Sequence, residues 1–293
     1  MAAVMACYRP VLAWRAPNGS IVFGAERPDH RALSLPCGYC IGCRLARSRA
    51  WAIRCMHESQ MHAVSSFVTL TYSDTYAKPS LRYRDFQLFM KRLRFKKRTP
   101  VRFFMCGEYG SVNKRAHFHA LLFGVSFDGL QDIGKGLSRS VELERLWPFG
   151  FSSIGSVTYA SAGYVARYAL KKVYGRAAVD HYKRVDLCTG EVFQVVPEFA
   201  HMSLKPGLGY TWFQKYWREV ALARDGVIVD GVKNSSPRYY DKLLELMDFD
   251  LKDHNDFLRY VNSKKFADDC TPERLAVREN VARARVNQLT RNL

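Results

Sequence analysis

The sequence predicts an α+β protein: an antiparallel sheet flanked by helices, with a cysteine-rich N-terminal segment before it and a helical region after it. Three observations carry the prediction. Short β-branched and aromatic runs alternate with amphipathic helical stretches through the middle of the chain. Three cysteines, Cys37, Cys40 and Cys43, fall within seven residues. The 293 residues are 48% hydrophobic and 25% charged, enough for a buried core, which excludes both a disordered polymer and a small disulfide-stapled scaffold. The expected divisions are 1–60 for the cysteine-rich segment, 61–184 for the sheet and its helices, and 185–293 for the C-terminal region.

In order along the chain, Val11 to Trp14 and Ile21 to Phe23 flank a Pro17-Asn18-Gly19 turn and read as a hairpin. Phe67 to Tyr72 is a strand. Asp85 is expected to cap a helix that carries Phe86, Phe89, Met90 and Leu93 on one face. Val101 to Tyr109 and Ala116 to Phe123 are strands of a hairpin closed by a polar loop. Val141 to Leu146 reads as a short helix, Ser152 to Tyr159 as a strand and Ala160 to Val173 as a longer helix. The order β-α-β-β-α-β-α fits a ferredoxin-like antiparallel sheet. Further on, Val227 to Val232 suggests an edge strand or hairpin and Tyr239 to Met247 a helix. Thr271-Pro272 opens a final basic helix, with Thr as N-cap and Pro at N1, suited to duplex or partner contact or to packing on the core.

Forty-five Lys and Arg against 27 Asp and Glu give a net charge of +18, which points to a polyanionic partner. Five arginines and no acid lie between Arg31 and Arg54, and nine basic residues against Asp85 alone between Lys78 and Arg98. Lys91, Arg92 and Arg94 in the second run, with Arg167 and Lys172 further on, are the candidate phosphate contacts; solvated helix faces are the alternative. A membrane surface would attract the same charge, but the interleaved aromatics Tyr39, Trp51, Tyr83, Phe86, Phe89 and Phe95 suit stacked bases better. No apolar stretch is long enough to span a bilayer, and Arg9, Pro10 and Arg15 interrupt the N-terminus before an apolar signal core can form. The chain is expected to stay where it is made, without a membrane partner.

Cys37, Cys40 and Cys43 form a C-x2-C-x2-C run in which Gly38 and Gly42 permit the turns that aim thiolates at one ion. A structural zinc needs a fourth ligand. Cys7 is the first choice, with Cys55 or His57 as alternatives; an iron–sulfur cluster and buried packing thiols are the competing readings. Cys106 and Cys188 read as packing residues.

The strand Ala116 to Phe123 has a period of two, so His117 and His119 share one face. Glu108 lies nine residues before His117 on the partner strand. The turn brings it back beside the histidines, completing two imidazoles and a carboxylate with coordination positions left open for a phosphoryl oxygen. On the helix that follows, Tyr164, Tyr168 and Lys171 or Lys172 fall on one face. A tyrosine can attack a phosphodiester and keep the 5′ phosphate as a covalent ester, so that the strand can later be rejoined. Two tyrosines packed on the sheet with hydroxyls in water are the alternative.

Taken in order, Phe67 to Tyr72, GEYG (Gly107 to Gly110), HFH (His117 to His119) and YVARYALK (Tyr164 to Lys171) resemble the strand, metal and two-tyrosine motifs of the HUH endonucleases that start rolling-circle replication. More narrowly, they resemble the replication initiators of gokushovirus-type microviruses, small phages with circular single-stranded DNA. PCGYCIGC, KPGLG (Lys205 to Gly209) and PRYY (Pro237 to Tyr240) are also similar to microvirus initiators. The resemblance implies a nickase and ligase in the cytoplasm of a host bacterium that binds single-stranded DNA at a replication origin. It implies Mg²⁺ or Mn²⁺ held by His117, His119 and Glu108, nucleophiles Tyr168 and Tyr164, and Lys171 offsetting phosphate or phenolate charge. A host polymerase would extend the released 3′ hydroxyl. Gly129 to Lys135 imitates a nucleotide-binding loop, but Gly136 stands where Ser or Thr should bind Mg²⁺, so it reads as a surface loop and unwinding is left to a host helicase. A non-catalytic zinc-containing nucleic-acid-binding module and an HUH transposase are the rival readings.

Overall fold

The computed structural model describes residues 7–24, 26–110, 113–167, 172–186, 189–222 and 226–288. They belong to two compact units, Met1–Arg47 with Leu244–Leu293, and Ser48–Leu243.

In the first unit β1 (Val11–Arg15) pairs antiparallel with β2 (Ile21–Val22), as the turn at Gly19 requires, and on its other edge with β3 (Arg31–Leu35). Trp14 is buried and donates its indole N–H to the Gly24 carbonyl at 3.1 Å. The helix α1 (Ile41–Ser59) starts within the cysteine run. Arg9 Nε donates to Glu279 at 3.0 Å, which ties the N-terminal segment to the final helix Pro272–Gln288. A helix over Phe249–Lys264, capped by Asp248, precedes it.

The second unit is built on β4 (Ser65–Tyr72), β5 (Arg102–Tyr109), β6 (Ala116–Phe123), β7 (Gln131–Gly134), β8 (Leu137–Arg139), β9 (Gly150–Gly155) and β12 (Phe199–Met202). Two short hairpins, β10 (Lys183–Val185) with β11 (Val192–Gln194) and β13 (Val227–Val229) with β14 (Val232–Asn234), lie outside this sheet. The sheet order is β12-β5-β6-β4-β9-β8-β7, with every neighbouring pair antiparallel. The first strand of the predicted core, β4, lies between the third, β6, and the fourth, β9, which is the ferredoxin-like arrangement.

The two faces of the sheet differ. On the back, Val68, Leu70, Phe103, Met105, Phe118, Ala120 and Leu122 bury against α2 (Tyr83–Lys97) and α3 (Val141–Leu146). Phe86 of α2 meets Phe118 and Phe103 at 5.9 and 5.5 Å between ring centres. At Gly107 an added Cβ would lie 3.1 Å from Leu81 and Phe199, so this packing favours glycine. The front face carries Phe67, Phe104, Cys106, Leu121 and Phe123, packed by Ala52 and Cys55 of α1 and by Ala162, Val165 and Ala166 of α4 (Tyr159–Ala166).

Several predicted boundaries move, each for a local reason. Asp85 does not cap α2. The helix starts at Tyr83, and the buried Asp85 carboxylate accepts the Tyr72 hydroxyl at 2.8 Å. The strand expected to reach Tyr159 stops at Gly155 because Thr158 and Ser161 form a capping box that opens α4. The 129–136 segment is the β7–β8 hairpin with left-handed residues at Gly134, Lys135 and Gly136, and no helix follows it directly as a nucleotide-binding loop would need. The edge strand β12 has no counterpart among the predicted elements. Beyond a short helix α5 (Ala177–His181), α6 (Tyr210–Leu222) and α7 (Arg238–Met247) frame the KPGLG and PRYY segments. Gly209 N–H donates to buried Glu58 at 2.7 Å, Arg54 Nε donates to the Leu208 carbonyl at 3.0 Å, and the Arg54 guanidinium sits 4.2 Å from the Trp51 ring centre and 4.0 Å from that of Tyr239. Tyr240 pairs with His57 Nδ1 at 2.9 Å. These motifs lock a loop onto α1.

Candidate active site and metal centres

The β5–β6 register sets Glu108 directly opposite His117, while His119 lies opposite Cys106 on one side and Thr69 of β4 on the other. All three candidate ligands lie on the front face and keep their ligand atoms within 4.8 Å of one another. Glu108 Oε1 is 3.2 Å from His117 Nε2 and 3.3 Å from His119 Nε2, and Glu108 is only 2% exposed. His117 Nδ1 is 3.0 Å from the Arg115 carbonyl, which can only accept, so this nitrogen carries the hydrogen. A neutral His117 then points the Nε2 lone pair at the Glu108 carboxylate, an arrangement that calls for a positive charge between them. The Thr69 hydroxyl anchors His119 Nδ1 at 2.9 Å and aims Nε2 at the same point. The donor set therefore fits a cation, with borderline nitrogens and a hard oxygen suited to a divalent ion.

The helix α4 delivers Tyr164. Ala162, Val165 and Ala166 are buried against the sheet, and their small side chains let the helix approach closely. The Tyr164 hydroxyl donates to Glu108 at 3.2 Å and lies 3.4 Å from His119 Nε2. Burial, then the neighbouring Glu108 carboxylate, push this phenol well above the ordinary tyrosine range, with Arg167 opposing them. Tyr168 and Lys171 lie outside the described residues, as does Cys188.

The predicted phosphate contacts separate. Lys91 is exposed on the outer side of α2, behind the sheet. Arg92 Nε donates to the Leu146 carbonyl at 2.9 Å, and Arg94 gives two hydrogen bonds to the Val101 carbonyl at 3.3 and 2.8 Å, so both guanidinia tie backbone segments together. Arg167 Nε donates to Gly163 O at 3.3 Å at the end of α4, and the Lys172 ammonium sits 5.7 Å from the Tyr174 ring centre. Sequence reasoning missed Thr69 and Thr71. The alternation Phe67-Val-Thr-Leu-Thr71 puts both on one face, and their pairing with His119 and His117 depends on a register about 50 residues away in the chain.

In the first unit, Cys7 joins Cys37, Cys40 and Cys43, with sulfur separations of 3.9 Å for Cys40–Cys7 and 4.0 Å for Cys37–Cys43. Tetrahedral zinc at 2.3 Å from sulfur implies about 3.8 Å between sulfurs, so the set fits. Backbone N–H groups of Cys37, Cys40, Tyr8 and Cys43 point at the sulfurs at 3.2 to 3.5 Å. Burial raises the Cys7 and Cys43 thiols; at Cys40 the Tyr8 and Cys43 N–H groups outweigh burial and bring it down to about 7. The cluster cannot hold four thiolates without a cation among them. Cys55 and His57, the other candidates for fourth ligand, are placed elsewhere, Cys55 buried under the sheet and His57 stacked 3.5 Å from Trp212.

Residues 65–173 match the family model for replication-associated protein ORF2 and its phage relatives. The chain is 34% identical to replication-associated protein VP4 of Bdellovibrio phage phiMH2K, over 80% of this chain and 76% of that one. It is 33% identical to replication-associated protein ORF2 of Spiroplasma virus 4, over 72% and 68% of the two chains. It is also 27% identical to replication-associated protein ORF4 of Chlamydia phage 1, over 75% and 56%. No solved structure matches. Among the described residues no helix is long and apolar enough to cross a membrane. With relatives that share a third of its residues along most of both chains, the protein belongs to the family of microvirus replication-associated proteins.

Proposed function

We propose that this protein nicks and rejoins single-stranded DNA to start rolling-circle replication of a small circular phage genome, through a 5′-phosphotyrosine intermediate. The observation that carries the reading is the Tyr164 phenol within 3.2 Å of Glu108 and 3.4 Å of His119, beside a ligand set with an open side. The phenol oxygen attacks the scissile phosphorus, a phosphorus–oxygen bond forms to tyrosine, and the bond to the upstream 3′ oxygen breaks. The proton that the phenol gives up is matched by the one that the departing 3′ oxygen takes, so no co-reactant is consumed. Reversal with a new 3′ end rejoins the strand. Mg²⁺ or Mn²⁺ held by Glu108, His117 and His119 would supply the positive charge that polarises the phosphate and eases phenol ionisation. Tyr168 is the second nucleophile of this reading and Lys171 its charge partner. The four cysteines hold zinc for structure, and a host helicase and polymerase do the unwinding and synthesis inside the bacterial cell.

The test is incubation of the full chain with Mn²⁺ and phage-length circular single-stranded DNA, followed by a denaturing gel. A protein–DNA adduct is expected from wild type and none from the Tyr164→Phe, Tyr168→Phe double variant. A wild-type protein that binds the DNA and forms no adduct would leave the non-catalytic module as the answer.

A further inference from the structure

We propose that the open half of the front face, beside the ligand set, is a base-stacking subsite for single-stranded DNA with Phe151 as its platform. We further propose that it holds the nucleotide on the 5′ side of the scissile phosphate. The inference rests on the nickase reading for its polarity, and on the geometry of β4 and β9 for its existence.

The helix α4 packs over β5 and β6, the Glu108 and histidine strands. The next two strands along the sheet present Thr69 and Thr71 of β4 and Phe151 and Ser153 of β9 on the same face, because Thr71 pairs with Phe151 and Thr69 with Ser153. The groove over them has a volume of about 690 Å³ and is walled by Ile133, Leu137 and Arg139 of the β7–β8 hairpin. It begins at the metal ligands, since Thr69 is the residue whose hydroxyl holds His119. Phe151 is 66% exposed and Ile133 51%, an open aromatic ring and an aliphatic neighbour on an otherwise hydroxyl-bearing floor. Flat apolar surface, hydroxyls and one cation are what a base and its sugar-phosphate need. The Arg139–Glu144 ion pair at 2.8 Å is solvent-exposed enough to be exchanged for a phosphate contact. Gly150 fixes the platform: a Cβ there would lie 2.2 Å from the Ser73 amide nitrogen, so only glycine lets β9 approach β4 and set Phe151 in line with His117.

The strand spacing sets the reach. Phe151 is two strands from His117, about 10 Å at the usual interstrand distance, close enough for a base whose own phosphate group borders the ligand set. In-line displacement sets the polarity. Tyr164 approaches from the β5–β6 side, so the leaving 3′ oxygen departs toward Thr69, Thr71 and Phe151. After cleavage one end is covalently tied to tyrosine, and the other has only non-covalent contacts to keep it. A stacked base in an open groove retains that 3′ end for rejoining and still releases it to a polymerase.

The test uses the full chain, EDTA to prevent cleavage, and an oligothymidine carrying one 5-iodouracil as photo-crosslinking probe. The cross-linked peptide is expected to contain Phe151. Phe151→Ala should lose the cross-link and bind the oligonucleotide about 5- to 150-fold more weakly, as loss of one stacked base predicts, and Phe151→Trp should keep both. Unchanged affinity in Phe151→Ala, or a cross-link confined to another surface such as the basic side of α2, overturns the proposal. Because no cleavage is involved, a Phe151 cross-link in a protein that never forms an adduct supports the groove while refuting the nickase. Once a cleavage position is mapped, an abasic site just 5′ of it should weaken wild-type binding and leave Phe151→Ala unaffected; sensitivity on the 3′ side alone would overturn the polarity.

Discussion

The two ligand clusters differ in what surrounds them. The cysteines supply four sulfurs, all from one segment, enclosed by the backbone N–H groups of that segment. Glu108, His117 and His119 supply three ligands from two strands, with the Tyr164 phenol on one side and an open groove on the other. A closed tetrahedral sulfur set satisfies its ion and leaves nothing for a substrate, whereas three ligands with an open side leave positions for phosphate oxygens. Ligand number and what stands next to the ligands therefore separate a site that holds the chain together from one that acts on a partner.

The comparison can be broken in both directions. Cys40→Ser should have the largest effect, since structural zinc contributes on the order of 10 kcal/mol to the segment it organises. The expected result is loss of bound metal by elemental analysis and early proteolysis of the N-terminal segment; full zinc content and unchanged protease resistance would reassign the cluster to packing thiols. His119→Ala should abolish adduct formation, a loss of several kcal/mol of phosphate-charge stabilisation. Its melting temperature should move by no more than about 4 °C, and DNA binding should fall far less, since it depends on many basic contacts. A sharp fall in melting temperature would make the hairpin cluster a structural site like the other.

Two smaller effects test the scaffold beneath the catalytic face. Glu58 is buried and bonded to Arg102 at 2.5 Å, Gly209 N–H at 2.7 Å and His62 at 3.1 Å. Burial raises its pKa, but these three partners outweigh it and hold the carboxyl below its ordinary value. Its contribution is present above the ordinary glutamate range near about pH 4.3 and is lost as pH falls through the lower folded value. Glu58→Gln should cost about 3–5 kcal/mol at neutral pH by denaturant titration, and its stability should decline less on acidification than that of wild type. His57 is the opposite case, a buried imidazole brought down to about 3 by desolvation. Below about pH 6.5 the unfolded chain takes up a proton that folded His57 refuses, so stability falls from there toward pH 3. His57→Phe, which keeps the stack on Trp212, should be about 1 kcal/mol less stable at neutral pH for want of the Tyr240 hydrogen bond and should flatten that acid slope.

What the sequence made legible was local. His117, His119 and Glu108 lie within one hairpin, so a period of two and a short turn suffice to bring them together. The C-x2-C-x2-C run is read the same way, and Cys7 follows from the short sheet between it and Cys37. The unread parts depend on distant partners. Thr69 reaches His119 only through the β4–β6 register, β12 is a four-residue edge strand defined by its pairing with β5, and PRYY gains meaning only where Tyr240 meets His57. Arg92 and Arg94 read as phosphate contacts because a charge run does not reveal which guanidinia the backbone already uses. Phe151 is, in sequence, one apolar residue in a strand; only the sheet order shows that its face is left uncovered.

The most direct test of the contrast between the two centres is dialysis of the full-length protein against EDTA, with metal content and adduct yield measured before and after. The account predicts that the cysteine site retains about one zinc per chain. Adduct formation on circular single-stranded DNA should fall to background and return when Mn²⁺ or Mg²⁺ is added. Adduct formation that survives with no metal exchanged, or that stays lost after either ion is restored to a folded, zinc-loaded protein, would contradict it.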